Sequence, residues 1–419
     1  MEAIYVTQLP KEHLRRMVSE VLAEQGFDIN NTKYEVKRIK AGLWMSTVFR
    51  VMATDGTKTL SLFLKCININ TVCSEVLFSP LHFKNEITFC NRVYPVFENL
   101  LKRKHPEAVR APIPVPKYYR ATGDGTNDVI IMEDLSENGF FMLNCLEAMG
   151  FSELELVMRE IGRFHAFSLV LKSQNPDLFN ELRSSVFDPV FQNSIGEEIL
   201  FHIYHNVLQD VLAAMKVCYQ GDSPYFIKFE KFVEHVRYRL NKHHLDALNN
   251  EPFNVFTHGD LWSNNLMFRY SSDSPDKPRE LRFLDFQQTR YTSPAADVGR
   301  MLFVATDRQT RTEHREELLH SYYDSLSATV SELGSDPEQL FPFKALEQQL
   351  KAFGNFILDV SLLNIPHALN EDSGSANDVT GDDMEGVLMA IRLPQQRMTE
   401  KCRRRVFDVI EECVDRGYI

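Results

Sequence analysis

The sequence has no run of about 18 or more apolar residues, the length a membrane-spanning helix needs, so no spanning segment is expected. Its first residues, MEAIYVTQLPKEHLRRM, hold no apolar signal core, so secretion is not expected either. No C-x-x-C pair occurs, and the seven cysteines are odd in number. That argues against a zinc site or a disulfide framework and for free thiols in a reducing cytosol. An excess of positive charge is missing too: 46 Lys and Arg face 58 Asp and Glu, for a formal net charge of -12. Nonspecific nucleic-acid binding depends on Lys and Arg, so such an acidic chain disfavours it. Small basic clusters such as KCRRR read as a solvated helix face. There is no internal repeat and no G-x-G-x-x-G fingerprint.

What is present is ample apolar material. The chain has 419 residues, 44% of them apolar, enough for a large core and more than one lobe. Leu14, Met17, Val18, Val21 and Leu22 follow helical spacing near the start. TVFRVMATDGTKTLSLFLKC reads as strand, turn, strand, with Asp55-Gly56 in the turn. Ser79 and Pro80 read as the cap and first position of a helix carrying Phe83, Ile87, Cys90 and Tyr94 on one face. NDVIIMEDL is a short buried strand ending in two acids. Ser152 and Glu155 form a capping-box pattern before a strong helix. Residues 195–250, 310–365 and 384–417 read as helical. NEDSGSANDVTGDDMEG (370–386) reads as an acidic loop. A β-rich first third and a helical remainder predict an α+β protein of two lobes: 1–132, a hinge at 133–136, and 137–419.

The stretch THGDLWSNNLMF gathers His258, Gly259, Asp260 and Asn265 and then turns apolar. LMFRY reads as a strand, SSDSPDKPRE as a turn-rich connection, and LRFLDF as a second strand. If the two strands form a hairpin, the start of the first lies beside the end of the second. Asn265 then sits beside Asp285, with Asp260 on the loop just before. Two hard oxygen ligands at one spot suit Mg²⁺, and a separate Asp suits a base that accepts a hydroxyl proton. H-x-D-x-x-x-x-N followed by D-F is the spacing of kinase-type phosphotransferases.

That chemistry makes demands upstream. Lys65 closes the apolar strand TLSLFLK, where a phosphate-binding lysine belongs. Glu86 borders the inward face of the next helix, where it can orient that lysine. The loop KAGLWMST before the preceding strand lies near the end of the Lys65 strand. It offers Gly42, Ser46 and Thr47 as phosphate donors. Glu133 and Leu135 can present main-chain groups to adenine in an apolar slot below Met132.

HGDLWSNNLMF, FLDFQ, SPAADVGRML and IMEDL together resemble the ecdysteroid kinase-like family of arthropods. That family is similar to choline kinases and aminoglycoside phosphotransferases within the protein-kinase-like fold. The resemblance runs from about residue 30 to 415. It implies a two-lobed fold with a β-rich N-lobe and a mostly helical C-lobe. It further implies an ATP- and Mg²⁺-dependent small-molecule kinase acting on an ecdysteroid, another apolar alcohol or a xenobiotic in the cytoplasm. By position, Asp260 resembles the catalytic base, Asn265 and Asp285 the metal ligands, and Lys65 and Glu86 the phosphate-binding pair. Asp297 resembles the acid that braces the catalytic loop, and His258 reads as a structural residue of that loop. A protein kinase fits less well, because D-F-Q replaces D-F-G and no A-P-E segment is present. The other readings are a choline- or aminoglycoside-type kinase and a kinase-fold binding module without turnover.

Overall fold

The computed structural model describes residues 9–39, 46–68, 78–107, 110–188, 194–219, 221–240, 250–369 and 384–419. The first lobe is built on an antiparallel sheet of order β1-β2-β3-β5-β4. Its strands are β1 (Lys33–Ile39), β2 (Ser46–Thr54), β3 (Thr59–Ile67), β4 (Tyr118–Thr122) and β5 (Val129–Glu133). The Asp55-Gly56 turn forms as the sequence predicts. Asp55 Oδ1 accepts the Thr57 and Lys58 N–H groups, and Gly56 has φ +87°.

Alternation along the strands decides which residues reach the cleft. Leu62 and Leu64 of β3, with Val51 and Ala53 of β2, pack against Leu14, Val18, Val21 and Leu22 of the helix Glu12–Glu24. Truncating Leu64 to Ala would cost about 2–5 kcal/mol. The intervening residues, Phe63 and Lys65 on β3 and Ser46, Val48 and Arg50 on β2, face the opposite side. Thr47 lies on the far face with Phe49 and Cys66. It therefore does not join Ser46 as a donor in the cleft, because β2 has already begun there.

The helix that carries Glu86 spans Ser79–Thr88. Ser79 does not cap it: Phe78 holds that position with φ 52°, and the Ser79 hydroxyl is buried without a partner. The helix continues through a π-helical turn, Phe89–Val93, into a second segment, Tyr94–Lys104. The capping box at Ser152 is not formed either, because the helix Phe151–Gln174 starts one residue earlier, on Gly150.

The second lobe is helical around two short ladders: β6 (Val255–Thr257) pairs with β9 (Arg290–Thr292), and β7 (Leu266–Ser271) pairs with β8 (Ser274–Phe283). Helices Phe151–Gln174 and Arg308–Glu332 pack along each other. Buried phenylalanines, among them Phe164, Phe167, Phe256, Phe268 and Phe283, fill the core. The region 195–250 is helical with a break, as Ser194–Cys218 and Pro224–Glu234. The stretch after 308 divides into Arg308–Glu332, Pro337–Leu340, Phe343–Ala352 and Gly354–Ala368, and the last part into Met384–Gln396 and Glu400–Asp415. The acidic loop expected at 370–386 falls mostly outside the described residues.

The β7–β8 hairpin forms, but β8 is far longer than the sequence suggests. It starts at Ser274, so SPDKPRE is strand rather than connection. The strand tolerates Pro275 and Pro278 because its outer side pairs with no other strand among the described residues, and a missing N–H there is harmless. Leu266 pairs with Phe283, and the Leu284 N–H reaches the Asn265 carbonyl at 2.9 Å. The strand thus ends at Phe283, and Asp285 lies just past it in a left-handed conformation (φ 65°). A β-rich lobe and a helical lobe in this order, joined after β5, form the α+β, protein-kinase-like fold expected from the sequence.

Candidate active site

A cavity of about 330 Å³ lies between the sheet and the second lobe. Val48, Phe63, Met132, Met267 and Leu284 form its apolar part. Lys65, Glu86, Asn265 and Asp285 form a polar end, and Ser46 also lines the wall. Residues far apart in the chain thus meet at one place. Gly42 and the rest of 40–45 lie outside the described residues.

Lys65 Nζ donates to Glu86 Oε2 at 2.6 Å and to Asp285 Oδ1 at 2.7 Å. Burial works against the ammonium, but the two carboxylates outweigh it and raise the Lys65 pKa. Burial lifts the Glu86 carboxyl to about 7 despite Lys65, because Glu86 shares one cation with Asp285. Asn85, on the same helix, donates from its amide to the Gln287 carbonyl at 3.1 Å and to the Thr289 carbonyl at 2.5 Å. The Glu86 helix is therefore tied directly to the D-F-Q segment. Phe286 adds an apolar tie, stacking on Phe89 with ring centroids 3.7 Å apart and planes 4° from parallel. The π turn begins at Phe89, so the ring leaves the helix just where its regular register changes.

Opposite this, the loop that carries His258, Gly259 and Asp260 is held from behind. Asp297 Oδ2 accepts the His258 N–H at 2.7 Å, and Oδ1 accepts the Gly259 N–H at 3.0 Å. Asp297 is fully buried and is also 3.2 Å from His165 Nε2, whose Nδ1 lies 2.8 Å from the Tyr322 hydroxyl. Burial alone would raise the Asp297 pKa, but the His165 hydrogen bond, the two histidines and the loop amide lower it. His258 Nδ1 accepts the Asp260 N–H at 3.2 Å, so Nε2 carries the proton and donates to the Leu284 carbonyl at 2.9 Å. Burial lowers the His258 pKa and keeps the ring neutral. Gly259 is required here. Its φ is +81°, and a Cβ would lie 1.9 Å from the Gln288 carbonyl oxygen.

Asp260 is buried, at 9% exposure, just behind the cavity wall, which its partner Asn265 lines. Its Oδ2 accepts from Asn265 Nδ2 at 3.1 Å, and the same amide nitrogen donates to the Asp260 carbonyl at 2.8 Å. The Asn265 amide nitrogen is thereby committed to Asp260, and the side-chain oxygen is not part of either bond. Asp285 lines the same cavity and gives Oδ1 to Lys65. Among the described residues, the carboxylates of Glu86, Asp260, Asp285 and Asp297 gather around Lys65 and Arg300 at this end, while Arg50 is paired with Asp134. The charge deficit and the hard-oxygen donors fit Mg²⁺.

The end of the cavity at Glu133 and Leu135 differs in one respect from the expectation. The Glu133 N–H donates to the Lys117 carbonyl at 3.0 Å and its carboxylate accepts the Lys117 N–H, so its main-chain donor is committed. Asp134, rather than Glu133, holds the polar contacts at that end. It pairs with Arg50 and accepts from Ser61 Oγ at 2.9 Å and from the Ser136 N–H at 3.2 Å. Leu135 lines the cavity. Sequence reading missed Arg50, Asn85, His165 and Arg300. Only Arg300 carried a signal, three residues after Asp297 in a helix.

A two-lobed kinase fold with a lysine–glutamate pair and an H-x-D-x-x-x-x-N loop across one cleft belongs to the class of small-molecule kinases. The chain is a member of the ecdysteroid kinase-like family, whose model matches residues 40–335. No curated protein matches the sequence. The solved structures that the chain resembles include these two. One is a Plasmodium vivax ethanolamine kinase, at 12% identity and a TM-score of 0.45, over 99% of this chain and 94% of that one. The other is a spectinomycin phosphotransferase in an AMP-bound complex, at 10% identity and a TM-score of 0.35, over 90% of this chain and 97% of that one.

Proposed function

We propose that the protein transfers the γ-phosphoryl group of ATP to a hydroxyl of a small apolar alcohol, an ecdysteroid or a xenobiotic. The observation that carries this reading is the meeting of Lys65, Glu86, Asn265 and Asp285 at one end of an apolar cleft, with Asp260 bonded to Asn265. In this reading residues 1–132 form the nucleotide lobe, 133–136 the hinge, and 137–419 the catalytic and acceptor lobe.

The purine lies between Val48, Phe63 and Met132 above and Met267 and Leu284 below, with the Leu135 main chain at its edge. Lys65 exchanges part of its carboxylate pairing for phosphate oxygens while Glu86 keeps it in place. Ser46 adds a donor. Asn265 and Asp285 would hold Mg²⁺, which supplies charge neutralisation on the phosphates when bound. Asp260 Oδ2 takes the acceptor proton as the acceptor oxygen bonds to phosphorus. The bridging P–O bond then breaks and ADP leaves. Positioning and electrostatics supply most of the rate. The free, mostly buried cysteines, Cys66, Cys90, Cys402 and Cys413 among them, support a reducing, cytoplasmic location.

The test is mass spectrometry of ecdysteroids, choline and aminoglycosides incubated with purified protein, ATP and Mg²⁺. A phosphorylated ecdysteroid that is absent with Asp260→Asn is the expected result. A choline or aminoglycoside product would redirect the acceptor assignment. Bound nucleotide with no product from any acceptor would favour a binding module.

A further inference from the structure

The catalytic loop carries no cation of its own. After Asp260 come Leu261, Trp262, Ser263 and the two asparagines. Yet Asp260 is ion-paired. Arg300, from the helix Ala295–Val304, places its terminal guanidinium nitrogen 2.6 Å from Asp260 Oδ1. The other terminal nitrogen donates to the Gly259 carbonyl at 2.7 Å. The first also donates to Asn364 Oδ1 at 3.1 Å, and Asn364 is itself fixed through its amide to the Val360 carbonyl. Arg300 is 7% exposed. A long side chain with three anchors, buried between two helices, has little freedom left to lose when substrate arrives.

The two oxygens of Asp260 are therefore unequal. Oδ1 is held in a close ion pair with the Arg300 guanidinium. Oδ2 accepts only the neutral Asn265 amide, at 3.1 Å, and keeps a lone pair. Resting on the phosphoryl-transfer reading above, we infer that Arg300 is a positioning residue for that reaction. It fixes the Asp260 carboxylate so that Oδ2 is the oxygen presented to the acceptor hydroxyl. It also clamps the Gly259 carbonyl, so the loop main chain and the base are set by one side chain. The helix that supplies Asp297 to the amides of the loop thus supplies Arg300 to its carbonyl and its carboxylate.

The test compares Arg300→Ala and Arg300→Lys with wild type, using the acceptor identified by the product screen. It reads kcat and KM by product formation, MgATP affinity by calorimetry, and Tm. Displacement of a reacting group by about an ångström costs on the order of a hundredfold. Arg300→Ala should therefore lose kcat by about that factor while MgATP affinity changes less than about twofold. Arg300→Lys should recover part of the loss, and millimolar methylguanidine should raise the kcat of the alanine variant. Wild-type kcat in folded Arg300→Ala overturns the inference. So does a loss that methylguanidine and lysine leave unchanged and that tracks Tm, which would make Arg300 a purely structural residue. If wild type itself turns over no acceptor, the phosphoryl-transfer reading falls and this inference with it.

Discussion

The two sides of the cleft are held by different means. On the second-lobe side the main chain itself is pinned: the N–H groups of His258, Gly259 and Asp260 all end on buried acceptors, and the Gly259 carbonyl is held by Arg300. On the first-lobe side, Lys65 is shared by Glu86 and Asp285 through side chains alone. Main-chain bonds of that kind fix a geometry, whereas a cation divided between two carboxylates can re-sort its partners. Under the proposed phosphoryl transfer, Asp260 would be preorganised and Lys65 exchangeable, which would suit a site that accepts and releases a charged nucleotide.

The comparison can be broken by four measurements. Asp260→Asn removes the proton acceptor from the rigid side and should lower kcat by about 10²–10⁴-fold with nucleotide affinity intact, read by product assay and calorimetry. Asp297→Ala should destabilise by about 3–5 kcal/mol in denaturant titration, because two loop amides and His165 lose a buried charged partner. If the rigid side is as described, this variant should also lose activity in the fraction that remains folded. Glu86→Gln tests the exchangeable side through pH. The Glu86 pKa in the folded protein lies above its ordinary value of 4.5, at about 7, so the folded state binds the extra proton. Stability from this group is full at low pH and declines as pH rises from 4.5 to 7. Glu86→Gln should flatten that decline, measured as Tm against pH without nucleotide. Arg120→Ala, which breaks exposed pairs with Glu20 and Glu24 remote from the cleft, should change stability by less than about 1 kcal/mol.

The polar skeleton of the site was legible because its residues keep fixed spacing around a hairpin and a strand end. Lys65 could be read from an apolar strand that closes on a charge, and Asp260 and Asn265 from their spacing. The partners contributed by distant helices could not. Nothing local to His165 or Asn85 reports that they meet the site, and Arg300 is marked only by its spacing from Asp297, since those contacts arise only when helices pack. The length of β8 was misread for the opposite reason. Two prolines spoke for a turn, and only the knowledge that one side of the strand is unpaired makes them compatible with a ladder. The caps at Ser79 and Ser152 failed because hydroxyl residues one position inside a helix start look the same in sequence as residues on it.

Those same prolines bear on how the protein behaves at high concentration. A two-stranded ribbon has two edges, and each is a template on which a foreign chain can add a strand. The edge of β7 is engaged at Phe268 by Phe141. β8 has its Phe283 N–H engaged by the Pro114 carbonyl, and its exposed half carries Pro275 and Pro278 amid Asp276, Lys277 and Arg279, so the ribbon there has two fewer backbone donors and is surrounded by charge. The hairpin that brings Asn265 next to Asp285 is thus also shielded against self-association, and replacing both prolines with valine should bring out aggregation before any loss of fold.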